Sequence, residues 1–194
     1  IILDFNQHAV DWYNFIRDVC AQYFIDHPAI IGGQGVEVEI DESKFGRRKY
    51  NRGRYVDGHW VFGGTERITG ESFLVEVTKR DAATLLPIIR QHIRPGSVIY
   101  SDEWRAYNRV QSIGYSHLTV NHSVNFVDPN TGAHMQSVES MWGACKRMMR
   151  EEKTMHSSLF DTYLPEFMWR RKFDTFRSDS FSNILRHISE QYPQ

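Results

Sequence analysis

Three acidic residues, Asp41, Asp102 and Glu139, have residue types and positions that suit divalent-metal chemistry. Carboxylates that meet in one place repel one another unless they are protonated or neutralised by cations, and their oxygens suit Mg²⁺ or Mn²⁺. Two such ions about 3.5–4 Å apart activate a hydroxyl on one side of a phosphodiester and stabilise the leaving oxygen on the other. Asp41 would bridge both ions, and Asp102 and Glu139 would each complete the shell of one.

The first half of the chain predicts three antiparallel strands. Residues 36–41 alternate apolar and acidic side chains with period two, which predicts a strand that ends at Asp41. Residues 59–63 and 72–77 predict the second and third strands, joined by a hairpin turn at residues 69–71. A lone Asp at a strand end more often caps a turn or is solvated. The metal hypothesis therefore depends on all three acids together.

The second half predicts alternating helices and strands. Asp81 is a plausible N-cap for a helix that Pro87 should kink, followed by an interior strand at 97–102 that ends at Asp102. The remaining elements are a short helix at 103–110, a strand at 117–120 and a helix at 134–149 with Glu139 at the margin of its apolar stripe. This order predicts an RNase H-like α/β fold, a mixed five-stranded sheet flanked by helices. If the first and fourth strands are neighbours, the acids converge.

The chain divides into three predicted segments. Residues 1–35 form an N-terminal helical extension, because residues 8–25 have a helical apolar pattern and three glycines at 32–35 then make a joint. Residues 36–173 form the catalytic domain, and residues 174–194 a partly ordered tail. Because the first residue is Ile1 rather than Met, we expect a fragment, a processed product or an incomplete gene model.

Composition narrows the function classes. The formal net charge of −1 means that nucleic-acid binding must depend on local clusters of cations. The two cysteines, Cys20 and Cys145, belong to no CxxC pair, which argues against a disulfide framework or structural zinc site. No stretch approaches the roughly 20 apolar residues that a membrane-spanning helix needs, so we expect no membrane partner.

Long blocks of the sequence resemble the Merlin superfamily of DDE transposases and its bacterial insertion-sequence relatives. Among them are IDESKFGRRKY at 40–50, SDEWRAY at 101–107 and VESMW at 138–142. Further blocks lie at residues 58–64, 82–89, 119–123, 125–127, 132–134 and 163–171. The resemblance extends from about Val36 to Phe173.

This resemblance implies an RNase H-like fold, two-metal DNA strand cleavage and strand transfer. The family's acidic triad falls on Asp41, Asp102 and Glu139, and some bacterial relatives have Asn at the third position. Members usually carry an upstream zinc-binding or helix-turn-helix region that recognises the element's terminal repeats. Residues 1–35 show no such pattern, so we do not expect this chain to recognise terminal repeats alone.

A basic cluster follows the first acid and is a candidate DNA-binding site, since cations bind phosphates and the interleaved aromatic rings stack on unpaired bases. The alternative is a solvated hairpin loop. On the last predicted helix, Lys146 and Arg147 would follow a DNA backbone or belong to an ordinary charged surface. The basic cluster consists of Lys44, Arg47, Arg48, Lys49, Arg52 and Arg54.

Three further residues are auxiliary candidates. His122 and Asn125 follow the fifth strand, where the imidazole would contact the scissile phosphate or a metal-bound water, or serve only the loop structure. His134 would orient Glu139 or bond a turn carbonyl. Trp104 and Trp142, which flank two of the acids, are expected to be packing residues.

Two other functions compete with transposition. One is a domesticated, transposase-derived DNA-binding protein without catalysis, and the other is an RNase H-like nuclease acting on a different substrate. The transposase hypothesis implies double-stranded DNA as partner, both terminal repeats and target, together with a homo-oligomer formed on DNA. It also implies the nucleus in a eukaryotic host, or the cytoplasm and nucleoid in a bacterium.

Overall fold

The computed structural model describes residues 5–46, 58–120, 134–151, 159–174 and 177–193. The chain divides into two compact units. Ala29–Lys153 form the sheet unit, and Ile1–Pro28 with Thr154–Gln194 form the helical unit. None of the helices in these described ranges is long and apolar enough to cross a membrane.

The sheet unit contains a mixed five-stranded sheet with the strand order β3-β2-β1-β4-β5. Strand β1 pairs antiparallel with β2 and parallel with β4, while β2–β3 is antiparallel and β4–β5 parallel. The strands are β1 (Glu37–Phe45), β2 (His59–Glu66), β3 (Ser72–Val77), β4 (Val98–Asp102) and β5 (Ser116–Val120). The predicted RNase H-like fold with a mixed sheet and flanking helices is confirmed.

The two faces of the sheet are covered by different helices, α2 (Ala82–His92) and α3 (Gln136–Glu151). Val38 and Ile40 are fully buried on the face of α2, where Phe73 stacks on His92 with ring centroids 4.8 Å apart. Because side chains alternate along a strand, Glu39 and Asp41 lie on the other face. There α3 packs on β1 and β2.

Helix α2 begins as its sequence predicts. The carboxylate of Asp81 accepts a hydrogen bond from the Thr84 amide at 2.9 Å and so caps the helix. The helix continues through Pro87 to His92. It forms the crossover that returns the chain to the sheet for β4, parallel to β1.

Two elements of the sheet unit differ from their predicted form. Strand β1 does not end at Asp41 but continues to Phe45, because residues 42–45 remain paired with β2. The predicted short helix at 103–110 is instead a loop containing a 3₁₀ turn at Arg105–Tyr107, which buries Ala106 and Tyr107.

The helical unit consists of α1 (Phe5–Asp26), α4 (Phe160–Phe173) and α5 (Arg177–Gln191). Its core contains Val19, Cys20, Trp169 and Ile184. Most of the segment expected to form a tail is helix α5, whose Ile184 and Ile188, four residues apart, pack on this core.

Candidate active site

Asp41 and Asp102 lie on neighbouring parallel strands. The strands pair at Val38–Ile99 and Glu39–Tyr100, and the same register two residues further on aligns Asp41 with Asp102. Side chains two residues apart on a strand share a face, so both carboxylates belong to the face covered by α3. Strand β4 ends at Asp102 while β1 continues to Phe45, so among the described residues no strand pairs with this last part of β1 on the β4 side. We call this pair the acid edge.

The carboxyl group of Asp41 is under electrostatic stress. Burial raises its pKa from 3.8 to about 7, and the negative charges of Glu42 and Asp102 also favour the protonated form. The indole N–H of Trp142 donates to Asp41 Oδ2 at 3.2 Å and partly offsets this effect. A nearby cation would stabilise the ionised form of such a group.

Glu42 is a third carboxylate near the acid edge, on the opposite face of β1. The hydroxyl of buried Tyr107 donates a hydrogen bond to Glu42 Oε1. Burial raises the pKa of Glu42, and the charge of Asp102 raises it further. Glu42 is not among the site residues predicted from the sequence. Its position in the alternation of β1, on the face of apolar Val38 and Ile40, was the available signal.

A buried carboxylate fixes the start of α3. Glu39 is fully buried, and its Oε2 accepts a hydrogen bond from the backbone N–H of Val138 at 2.8 Å. Arg67 donates from Nε to Glu39 Oε1 at 2.7 Å and from Nη1 to Glu37 Oε2 at 3.0 Å, and it also binds the carbonyl of His134. Glu39 thus satisfies an N–H in the first turn of α3 that has no partner within the helix.

Glu139 lies between two residues of α3 that form hydrogen bonds with β1. Val138 binds Glu39, and Trp142, almost one turn later, binds Asp41. Residues three apart on a helix are surface neighbours, so exposed Glu139 shares a side of α3 with Trp142. Helix α3 therefore carries Glu139 along the face of the sheet to which Asp41 of β1 and Asp102 of β4 belong.

Trp142 and Trp104 differ in their surroundings. Trp142 is buried, meets the ring of Phe45 edge to face at 6.0 Å, and lies over Gly63, where an added Cβ would be 2.8 Å from its ring. Its predicted packing role is confirmed, and its hydrogen bond to Asp41 is an additional one. Trp104 is 43% exposed, so its predicted packing role is wrong. It lies two residues after Asp102, at the start of the loop that follows β4.

Among the described side chains, no three His, Cys, Asp or Glu are arranged to hold a metal ion. The donor chemistry at the acid edge nevertheless fits a divalent cation. Asp41 and Asp102 offer hard oxygen ligands, and a bound cation would stabilise the ionised form of Asp41, which burial and the charges of Glu42 and Asp102 disfavour. Glu139 is the nearest acid on α3 to the Trp142–Asp41 contact.

The remaining residues predicted for DNA binding or an auxiliary role lie partly within and partly outside the residues that the structure describes. Exposed Lys44 has its Nζ 5.6 Å from the ring centroid of Trp60, and Lys146 Nζ is 5.4 Å from that of Phe45. Arg147 is exposed on α3. The Nδ1 atom of His134 is 3.5 Å from Glu39 Oε1 without forming a hydrogen bond. Outside the described residues lie Arg47, Arg48, Lys49, Arg52, Arg54, His122 and Asn125.

Comparison with known proteins identifies the family. The model of the ISXO2-like transposase domain, of the IS1595 family, matches residues 31–172, which include all three acids. The chain belongs to this family. The predicted resemblance to bacterial insertion-sequence transposases is thereby confirmed.

The chain is also similar to individual proteins. An uncharacterized transposase-like protein of Haemophilus influenzae is 30% identical over 116 residues, covering 60% of this chain and 91% of the relative. The HTLV-2 integrase catalytic core domain, solved in complex with magnesium, is 14% identical with a TM-score of 0.46, covering 72% of this chain and 88% of that one. The catalytic core domain of BIV integrase is 12% identical with a TM-score of 0.48, covering 80% of this chain and 97% of that one.

Replacing Glu39 by Gln should destabilise the protein. The change keeps the shape of the buried side chain but leaves the partly buried Arg67 without its closest countercharge. We expect the free energy of unfolding, measured by urea denaturation at pH 7, to fall by about 2–4 kcal/mol. Glu37→Gln is the matched control, because Glu37 binds the same arginine while being 44% exposed, and it should cost about 1 kcal/mol or less. Equal losses would contradict the greater importance of the buried Glu39–Arg67 ion pair.

Replacing Asp41 by Asn should have the opposite effect at high pH. Because the folded-state pKa of Asp41 is raised to about 7, folding favours the protonated acid, and stability declines as the pH rises from about 4 through 7. In EDTA at pH 8, Asp41→Asn should therefore raise the free energy of unfolding by about 1–3 kcal/mol, with a smaller gain at pH 5.

Asp18→Asn, at an exposed acid of α1, is the control for this measurement and should change stability little at either pH. Destabilisation by Asp41→Asn at pH 8 would show that the Asp41 carboxylate is not under electrostatic stress.

Proposed function

We propose that the chain carries the catalytic domain of a DNA transposase, which cleaves DNA strands and joins a 3′ end to a target. In this proposal Asp41, Asp102 and Glu139 hold two divalent ions, Mg²⁺ or Mn²⁺. The observation that carries the proposal is the alignment of Asp41 with Asp102 on adjacent parallel strands, in a member of a transposase-domain family.

Each residue of the site has a distinct task. Two bound divalent ions would supply activation of the attacking hydroxyl and stabilisation of the leaving oxygen. The indole of Trp142 orients the Asp41 carboxylate, and the amide of Trp104 orients that of Asp102 through a hydrogen bond of 3.0 Å to Oδ1. Orientation of carboxylates by surrounding hydrogen bonds is a common way to prepare a metal site. No side-chain nucleophile is required.

Helix α3 delivers the third acid and also presents cations. Glu139 and the pair Lys146 and Arg147 lie on this helix, and Lys44 extends from β1 beyond Asp41. The cations at 47–54 follow directly in the sequence. We assign these residues to the phosphates of double-stranded DNA, both transposon end and target.

The setting and assembly follow from the proposed activity. Joining an element's two ends to one target calls for more than one active site, so we expect a homo-oligomer on DNA. The transposase-like relative belongs to a bacterium, which favours the bacterial alternative, cytoplasm and nucleoid, over the nucleus.

The proposal is tested by incubating the full chain with a labelled DNA duplex in Mn²⁺, Mg²⁺ or EDTA. We expect nicking that needs the metal and that Asp102→Asn and Glu139→Gln each reduce by at least about 100-fold. Glu151→Gln, at the far end of α3, is the matched control and should retain activity.

Three outcomes would contradict parts of the proposal. DNA binding without metal-dependent cleavage would favour the domesticated, non-catalytic protein. Cleavage of an RNA–DNA hybrid in preference to duplex DNA would favour the RNase H-like nuclease. Full activity of Glu139→Gln would show that Glu139 is not a metal ligand. A different residue would then have to complete the metal site with Asp41 and Asp102.

A further inference from the structure

Three flat side chains lie against one another at the surface of the sheet unit. We call these residues, Trp60, Arg80 and Trp104, the aromatic stack. The guanidinium carbon of Arg80 lies 3.6 Å from the ring centroid of Trp60 and 5.3 Å from that of Trp104. The indole N–H of Trp104 also donates to the carbonyl oxygen of Arg80 at 3.2 Å. Arginine and aromatic rings attract each other in this arrangement, which holds all three in place.

The aromatic stack adjoins the acid edge through the main chain and through charge. Trp104 is two residues beyond Asp102, and its amide binds the Asp102 carboxylate. The guanidinium of Arg80 is close enough to Glu42 to oppose the rise in the pKa of that carboxyl group. Lys44 Nζ lies 5.6 Å from the ring centroid of Trp60 and brings a second cation to the stack.

The stack keeps a large apolar surface in water. Trp104 is 43% exposed, although it is held by Arg80 and by a hydrogen bond to the main chain. An indole that is fixed by these contacts while partly exposed, with cations beside it, suits a ligand that has a flat ring and a nearby negative charge. A nucleotide has both.

We infer that the aromatic stack binds an unpaired nucleotide of the DNA strand whose phosphodiester is held at the acid edge. The base stacks on the exposed ring of Trp104, and its phosphate is attracted by Arg80 and Lys44. Stacking on an aromatic ring requires a base to leave its duplex partner, so the site selects a frayed or single-stranded end. The inference rests on the proposed function for its setting, but the binding itself needs no catalysis.

The test uses two fluorescently labelled DNA hairpins with the same duplex, one blunt and one with a four-nucleotide 3′ overhang. Binding to the full chain is measured by anisotropy in EDTA, so that no cleavage takes place. We expect the wild type to prefer the overhang and Trp104→Ala to weaken overhang binding by about 5- to 100-fold, with less than about a twofold effect on the blunt hairpin. Trp104→Phe should keep most of the preference.

Ile68→Ala is the matched control, because Ile68 is a 90% exposed apolar residue just beyond the end of β2 farthest from Trp60. It should bind both hairpins as the wild type does. The inference is overturned if the wild type shows no preference, if Trp104→Ala weakens both hairpins equally, or if Trp104→Phe is as poor as Trp104→Ala.

These results separate the inference from the proposed function. A protein that prefers the overhang through Trp104 but never cleaves DNA would retain the nucleotide site and lose the catalytic proposal. Metal-dependent cleavage together with equal binding of both hairpins would support the catalytic proposal and overturn the nucleotide site.

Discussion

The buried carboxylate of Glu39 is the interaction on which the site depends. It is bound by Arg67 and by the first turn of α3, and it joins a strand to a helix that begins 97 residues later in the sequence. A buried charge of this kind is tolerated only where its partners are complete. Because the start of α3 is fixed there, Trp142 reaches Asp41, and Glu139 lies along the same face of β1.

Glu39 and Asp41 lie on the same face of β1 but have different surroundings and different roles. Glu39 has an arginine and a helix N–H as partners, whereas Asp41 has the Glu42 amide and an indole N–H as donors and two negative charges nearby. Glu39 stabilises the fold. The ionised form of Asp41 is disfavoured in the folded protein, and a bound cation would stabilise it. Stability given up at such a position is typical of a functional site. The same edge continues to Trp104, whose exposed ring extends the site towards the unpaired strand that we propose it binds.

Local patterns in the sequence predict most of the sheet, because alternation and apolar runs depend on neighbouring residues. The strands at 36–41 and 97–102 and the helix of Glu139 could be predicted in this way. The adjacency of the two strands entered the sequence argument only as a condition, and the structure shows it. The partners of Glu39 could not be predicted, since Arg67 is 28 residues away and Val138 is 99 residues away. The exposure of Trp104 was missed because it depends on the path of the loop after β4, where a helix was predicted.

The central claim is that the Glu39–α3 contact positions a metal site. Its most direct test is a titration of the full chain with Mn²⁺, in which binding is measured by electron paramagnetic resonance. We expect bound Mn²⁺ in the wild type, a loss of affinity of about 10- to 100-fold in Asp102→Asn and Glu39→Gln, and wild-type affinity in Glu37→Gln. Loss in Glu39→Gln would connect the start of α3 to the metal. Binding that is unchanged in both Asp102→Asn and Glu39→Gln, or no binding by the wild type, would contradict the account.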